Sequence, residues 1–286
     1  MRSLWSAIGL LCCLASGAAP LERAIFTDPP HDARHPAAMV VLHIPSHGVL
    51  INGIAYVPAG GGPHPVVVIC HGLPGNEKNL DIAQTLRRAG YIAVTFNYRG
   101  SWGSPGSFSF AGNLEDAGAV LDYLADLQTV QTLGADSRRI ALVGHSMGGW
   151  VTAHTAAHHP ELKGAVLISA ADMGRSTAAD RDVVIARMRD DMESLAGVTP
   201  ESMADELIEH GRLWRFDTLD QALSRVPVLV LSSDDGLAPQ TDRLVIGLRE
   251  AGGRVEAFHA STDHGWSDHR IELQQRILRW LNPLMH

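Results

Sequence analysis

The chain has 286 residues, 45% of them hydrophobic and 19% charged, with a formal net charge of −8. This balance suits a large globular core and excludes both a disordered chain and a multi-span membrane protein. The sequence has no lysine-rich run and no basic stripe, which argues against nucleic acid as a partner.

Residues 1–19 stand apart. Met1 and Arg2 make a short positive start, Leu4 to Leu14 is mostly apolar, and Ser16-Gly17-Ala18-Ala19-Pro20 supplies small residues for cleavage. The pattern predicts a secretory signal peptide, too short to span a bilayer. An exported protein is expected, periplasmic or secreted, with no stable membrane anchor after cleavage. Cys12 and Cys13 lie in this leader, so the mature chain keeps only Cys70. A single thiol forms no intrachain disulfide.

Residues 20–38, rich in Pro, His and Asp, predict a loop-like arm. Val40–Pro45 and Val49–Pro58 predict two strands, with the turn signal Ser46-His47-Gly48 between them. Pro65–Cys70 is continuously apolar, as in a strand covered on both faces. From there the pattern alternates. Helices are predicted over Leu80–Ala89, Asn113–Leu127, Met147–His158, Gln240–Ala251 and Trp266–Leu281. Strands are predicted over Tyr91–Phe96, Ile140–Val143, Leu162–Ser169, Val226–Leu231 and Arg254–His259. This order predicts an α/β fold: a mostly parallel eight-stranded sheet with helices on both faces and an antiparallel edge. It forms one domain over residues 20–286.

Residues 172–225 interrupt the alternation. Asp180–Leu195 and Pro200–Trp214 are charged and helix-like, so this stretch is expected to be a helical cap insertion. Its apolar residues, Met188, Met203, Leu207 and Trp214 among them, fit either a pocket wall or packing against the core.

Gly144-His145-Ser146-Met147-Gly148 follows the apolar run Ile140–Val143 and precedes a helical stretch. In that setting G-x-S-x-G puts a serine hydroxyl on a sharp strand-to-helix turn, where it can attack an acyl carbon. Such a nucleophile needs a base, an acid to orient the base, and donors for the oxyanion.

With the serine turn, the strand order and the insertion together, the chain resembles the α/β-hydrolase superfamily. Tyr56-Val57-Pro58 and Pro65–Gly72 resemble dienelactone-hydrolase-like and prolyl-oligopeptidase-like catalytic domains and related bacterial esterases. The resemblance spans about residues 40–282. It implies the order Ser, Asp, His along the chain. His264, in the loop Ser261-Thr262-Asp263-His264-Gly265 between the last strand and the last helix, is then the base. The acid falls in Ser232-Ser233-Asp234-Asp235-Gly236, where Asp235 matches the family's spacing to Pro239 and Asp234 is the alternative. By the same resemblance the backbone N–H groups of Leu73 and Met147 form the oxyanion hole. Arg99 is read as a structural salt-bridge partner. His154 and His158 have i, i+4 spacing without a third ligand and are read as a helix face. No cofactor or metal is implied.

The expected function is a serine hydrolase of the carboxylesterase type, acting through an acyl-enzyme on a small-molecule ester or short peptide. Two readings stay open beside it: a small serine peptidase (aminopeptidase or acylpeptide hydrolase), and an inactive binding protein on a hydrolase fold.

Overall fold

The computed structural model describes residues 21–286, so the expected leader lies outside the described residues. The strands are β1 (Ala38–Ser46), β2 (Val49–Val57), β3 (His64–Cys70), β4 (Ile92–Phe96), β5 (Ala135–His145), β6 (Gly164–Ile168), β7 (Val228–Ser233) and β8 (Val255–Ala260). The helices are α1 (Arg23–Phe26), α2 (Leu80–Arg88), α3 (Phe110–Ala125), α4 (Leu127–Leu133), α5 (Met147–His158), α6 (Arg181–Arg189), α7 (Pro200–His210), α8 (Asp220–Leu223), α9 (Ala238–Glu250) and α10 (Arg270–Met285).

One eight-stranded sheet runs in the order β1-β2-β4-β3-β5-β6-β7-β8. The hairpin β1–β2 and the β2–β4 pair are antiparallel, and every other pair is parallel. The burial follows the apolar runs. β4, β6 and β7 are buried along their whole length, whereas the edge strand β1 alternates toward solvent. Alternate residues of β3 feed two cores. Val66, Val68 and Cys70 pack with residues of α3 and α5, and Val67 and Ile69 pack with residues of α2 and α10.

All eight predicted strands are present, but several helix ends differ, each for a local reason. α3 starts earlier than expected because the Ser109 hydroxyl accepts from Gly112 N–H at 2.9 Å. It ends at Asp126, whose backbone turns extended. The Asp126 carboxylate accepts from Thr129 N–H at 2.9 Å and starts α4, a helix the sequence pattern did not indicate. The first insertion helix stops at Arg189 instead of Leu195. Residues 194–196 are drawn into pairing with the loop after β4, through Trp102 N–H to Ser194 O at 3.1 Å and Ala196 N–H to Gly100 O at 2.8 Å. α10 starts at Arg270 and not at Trp266, because Trp266 is left-handed at φ 59°. The N-terminal arm contains the single turn α1.

Candidate active site

Ser146 sits between the last residue of β5 and the first of α5, at φ 57° and ψ −122°. This conformation is costly for a residue with a Cβ and persists only where its surroundings impose it. Ser146 N–H donates to Ile168 O at 2.9 Å, and its carbonyl accepts from Gly149 N–H at 3.0 Å and Ala171 N–H at 3.1 Å. A Cβ at position 148 would overlap the carbonyl of Cys70, so glycine is required there. Ser146 is half-buried at the parallel strands' C-terminal edge.

The loop after β3 lies against this turn. A Cβ at Gly72 would come 3.1 Å from the Ser146 Cβ. The loop is held from behind: Tyr98 OH donates to His71 O at 3.2 Å, Trp102 Nε1 to Pro74 O at 2.6 Å, and Ser194 Oγ to the same Pro74 oxygen at 3.0 Å. Leu73 is in this loop. Met147 is the first residue of α5, where a backbone N–H has no intrahelical acceptor and the helix dipole is positive.

His264 and Asp235 come from loops after β8 and β7. His264 Nδ1 lies 2.7 Å from Asp235 Oδ2. The Asp235 side chain is only 5% exposed, against 56% for Asp234. Asp234 instead meets His259 Nε2 at 2.9 Å and the Ser261 hydroxyl at 2.6 Å. Asp235 also accepts from Leu237 N–H at 2.8 Å. Burial pushes the Asp235 carboxyl up, but hydrogen bonds from His264 and Leu237 outweigh it and hold the group below the usual carboxylate range. Beneath it Ser169 Oγ lies 2.8 Å from Ser233 Oγ and accepts from Trp266 Nε1 at 3.0 Å, all buried.

One residue of the site was not singled out by sequence. His145 Nε2 lies 2.8 Å from the His264 carbonyl, and the two rings are 4.6 Å apart. Burial, then the neighbouring His264, pushes the His145 pKa down to about 4, so the ring is neutral and Nε2–H is the donor. Its only signal in the sequence is its place beside Ser146.

The remaining candidates have structural partners. Arg99 pairs with Glu115 and Asp116. His154 Nε2 bonds the Trp214 carbonyl at 3.0 Å, and His158 Nδ1 bonds the His154 carbonyl at 2.8 Å. Among the described residues no group of three or more His, Cys, Asp or Glu side chains could hold a metal ion.

Strand order, the strained serine between β5 and α5, and loops converging at one sheet edge define the α/β-hydrolase fold. The family profile described as alpha/beta hydrolase fold matches residues 65–236, more than half of the chain. The chain belongs to the α/β-hydrolase family. It is 31% identical over 126 residues to an uncharacterised protein of Mycobacterium tuberculosis, which covers 44% of this chain and 43% of that protein. The chain thus spans less than half the length of that relative. A cutinase of Thermobifida cellulosilytica is 24% identical over 198 residues, covering 68% of this chain and 69% of the cutinase. Among solved structures, a thermostable carboxyl esterase from Bacillus coagulans superposes with a TM-score of 0.69 at 14% identity, covering 87% of this chain and 99% of the esterase.

Proposed function

We propose that this hydrolase is a serine carboxylesterase working through an acyl-enzyme. The observation that carries the reading is the 2.7 Å contact between His264 Nδ1 and the buried Asp235 carboxylate, at the sheet edge that also holds Ser146 in a strained turn. Ser146 Oγ attacks the ester carbonyl carbon while His264 Nε2 takes its proton. Asp235 accepts the Nδ1–H and stabilises the imidazolium. The N–H groups of Leu73 and Met147 receive the tetrahedral oxyanion; one such donor is worth roughly 3–4 kcal/mol in the transition state. The alcohol leaves with the proton from His264. Water then attacks the acyl-enzyme with His264 as base, and the acid is released. The named activities of the cutinase and carboxyl esterase relatives point the same way.

In this reading residues 172–225 cap the site, and the Ser194 bond to Pro74 O ties that cap to the oxyanion loop. Export follows from the leader over residues 1–19 and is tested by N-terminal sequencing of the protein recovered outside the cytoplasm. The catalytic reading is tested with Ser146→Ala on short p-nitrophenyl esters and with a fluorophosphonate label. Loss of turnover and of labelling is expected; retained turnover overturns it. Faster cleavage of aminoacyl anilides than of simple esters would make the protein a peptidase instead.

A further inference from the structure

Next to the oxyanion loop, but lined by none of Ser146, Asp235, His264, Leu73 or Met147, is a cavity of about 350 Å³. That volume is within the range of small-molecule sites. Ile54, Ile69, Leu80, Phe96 and Val41 give it apolar walls. Two of these stay open to solvent, with Val41 62% and Leu80 44% exposed. Apolar walls with a few polar groups at one edge are the usual make-up of a small-molecule site.

The polar edge of the cavity is formed by Lys78, Asn97 and His71. Lys78 Nζ donates to Asn97 Oδ1 at 2.9 Å and lies 4.5 Å from the centre of the Trp102 ring. Among the described residues no carboxylate pairs with it. Glu77 is turned to Asn79 N–H, and Asp81 is held by Arg270. Burial alone lowers the Lys78 pKa, with no acidic neighbour pulling it back. His71 adds an unsatisfied group. Its Nδ1 bonds Gly72 O at 2.8 Å, and its buried Nε2 has no protein partner.

We propose that this cavity binds a monocarboxylate carrying an apolar chain. The carboxylate pairs with Lys78, and the chain lies along Ile54, Ile69 and Leu80. A single cation in apolar surroundings matches one negative charge. A dianion would keep an unpaired charge there, and a neutral alcohol would leave Lys78 without a counterion. The site is wired to the catalytic edge. His71 bonds the carbonyl of Gly72, and the Trp102 ring beneath Lys78 holds the carbonyl of Pro74. Occupancy therefore bears on both sides of Leu73. If the esterase reading holds, the acid released by the reaction belongs to this ligand class; the binding proposal itself does not depend on that reading.

The test is calorimetric titration of the full chain with hexanoate, hexanol and acetate. Hexanoate is expected to bind once per chain and about tenfold more tightly than either control, as expected for one charge-assisted contact added to apolar burial. Lys78→Gln should weaken hexanoate about tenfold and leave hexanol unchanged. Leu80→Glu, at a half-exposed position that tolerates a polar side chain, places a carboxylate beside Lys78 and should abolish hexanoate binding. Unchanged hexanoate affinity in both variants, equal binding of hexanol, or no binding at millimolar hexanoate overturns the proposal. Fluorophosphonate labelling of Ser146 reports separately on the esterase reading.

Discussion

His145 donates from Nε2 to the carbonyl oxygen of His264 at 2.8 Å, and the two imidazoles pack 4.6 Å apart. The residue before the candidate nucleophile thus holds the loop of the candidate base, although 119 positions separate them. His145→Phe keeps a ring there and removes the donor. One neutral hydrogen bond is worth about 1 kcal/mol, so kcat on a short ester should fall about fivefold with KM unchanged. Steady-state kinetics checks this, and an unaltered kcat rejects it.

The adjacent aspartates should behave very differently. Asp235→Asn leaves the shape intact but replaces the acceptor facing His264 Nδ1, and kcat should fall by about 10⁴, as for a triad acid turned to amide. Asp234→Asn alters an exposed residue paired with His259 and should change kcat by less than about twofold. The reverse outcome would move the orienting role to Asp234.

Acid should weaken the fold through its buried imidazoles. Burial pushes His71, His145 and His154 each down to about 4, while an unfolded histidine titrates at ~6.5. The unfolded chain therefore takes up protons first. The stability these neutral rings carry is complete above ~6.5 and is lost as pH falls toward about 4, at up to about 1.4 kcal/mol per pH unit for each ring. Urea midpoints measured from pH 7 to 4.5 should fall steeply. His154→Gln, which can still donate to the Trp214 carbonyl, should flatten the fall by about one proton's worth.

Asp172 works in the opposite direction. Burial, the largest cause, raises its carboxyl to about 6, and its Oδ1 has no hydrogen-bond partner. Above pH 6 a carboxylate is therefore held where burial and then the neighbouring Asp217 oppose it, more than Arg175 and Arg215 compensate, and the folded state regains a proton as pH drops from about 6 toward ~3.9. Asp172→Asn keeps an acceptor for the Phe216 N–H and removes the charge. Its melting temperature should exceed that of the parent at pH 7.5, and the gain should vanish near pH 4.

The strands were legible because β3, β4, β6 and β7 are short apolar runs buried on both faces, which leave a strong mark in composition. Ser146, His264 and Asp235 were placed by a motif and by chain order, and the fold brings the His264 and Asp235 side chains into contact. Other features had no local mark. Trp266 looks like a helix residue, and only its tertiary setting at the bottom of the His264 loop forces it left-handed. Residues 194–196 have helical composition, yet the loop after β4 captures them. His145 belongs to the site because of a residue far along the chain. The cavity beside Lys78 is assembled from β1, β2, β3, β4 and the turn before α2, so no single stretch could announce it.

The pairing of β8 with β7, Ser233 beside Ala260 at its end, has a kinetic corollary. Parallel pairing is non-local and among the slower events in folding, and His264 lies just beyond this last strand. A refolding chain can therefore form the core that α3 and α5 share with the sheet, and its Ser146 turn, before the imidazole is in place. Recovery of turnover should lag behind hydrogen-exchange protection of α5, which lies wholly before this strand in the chain.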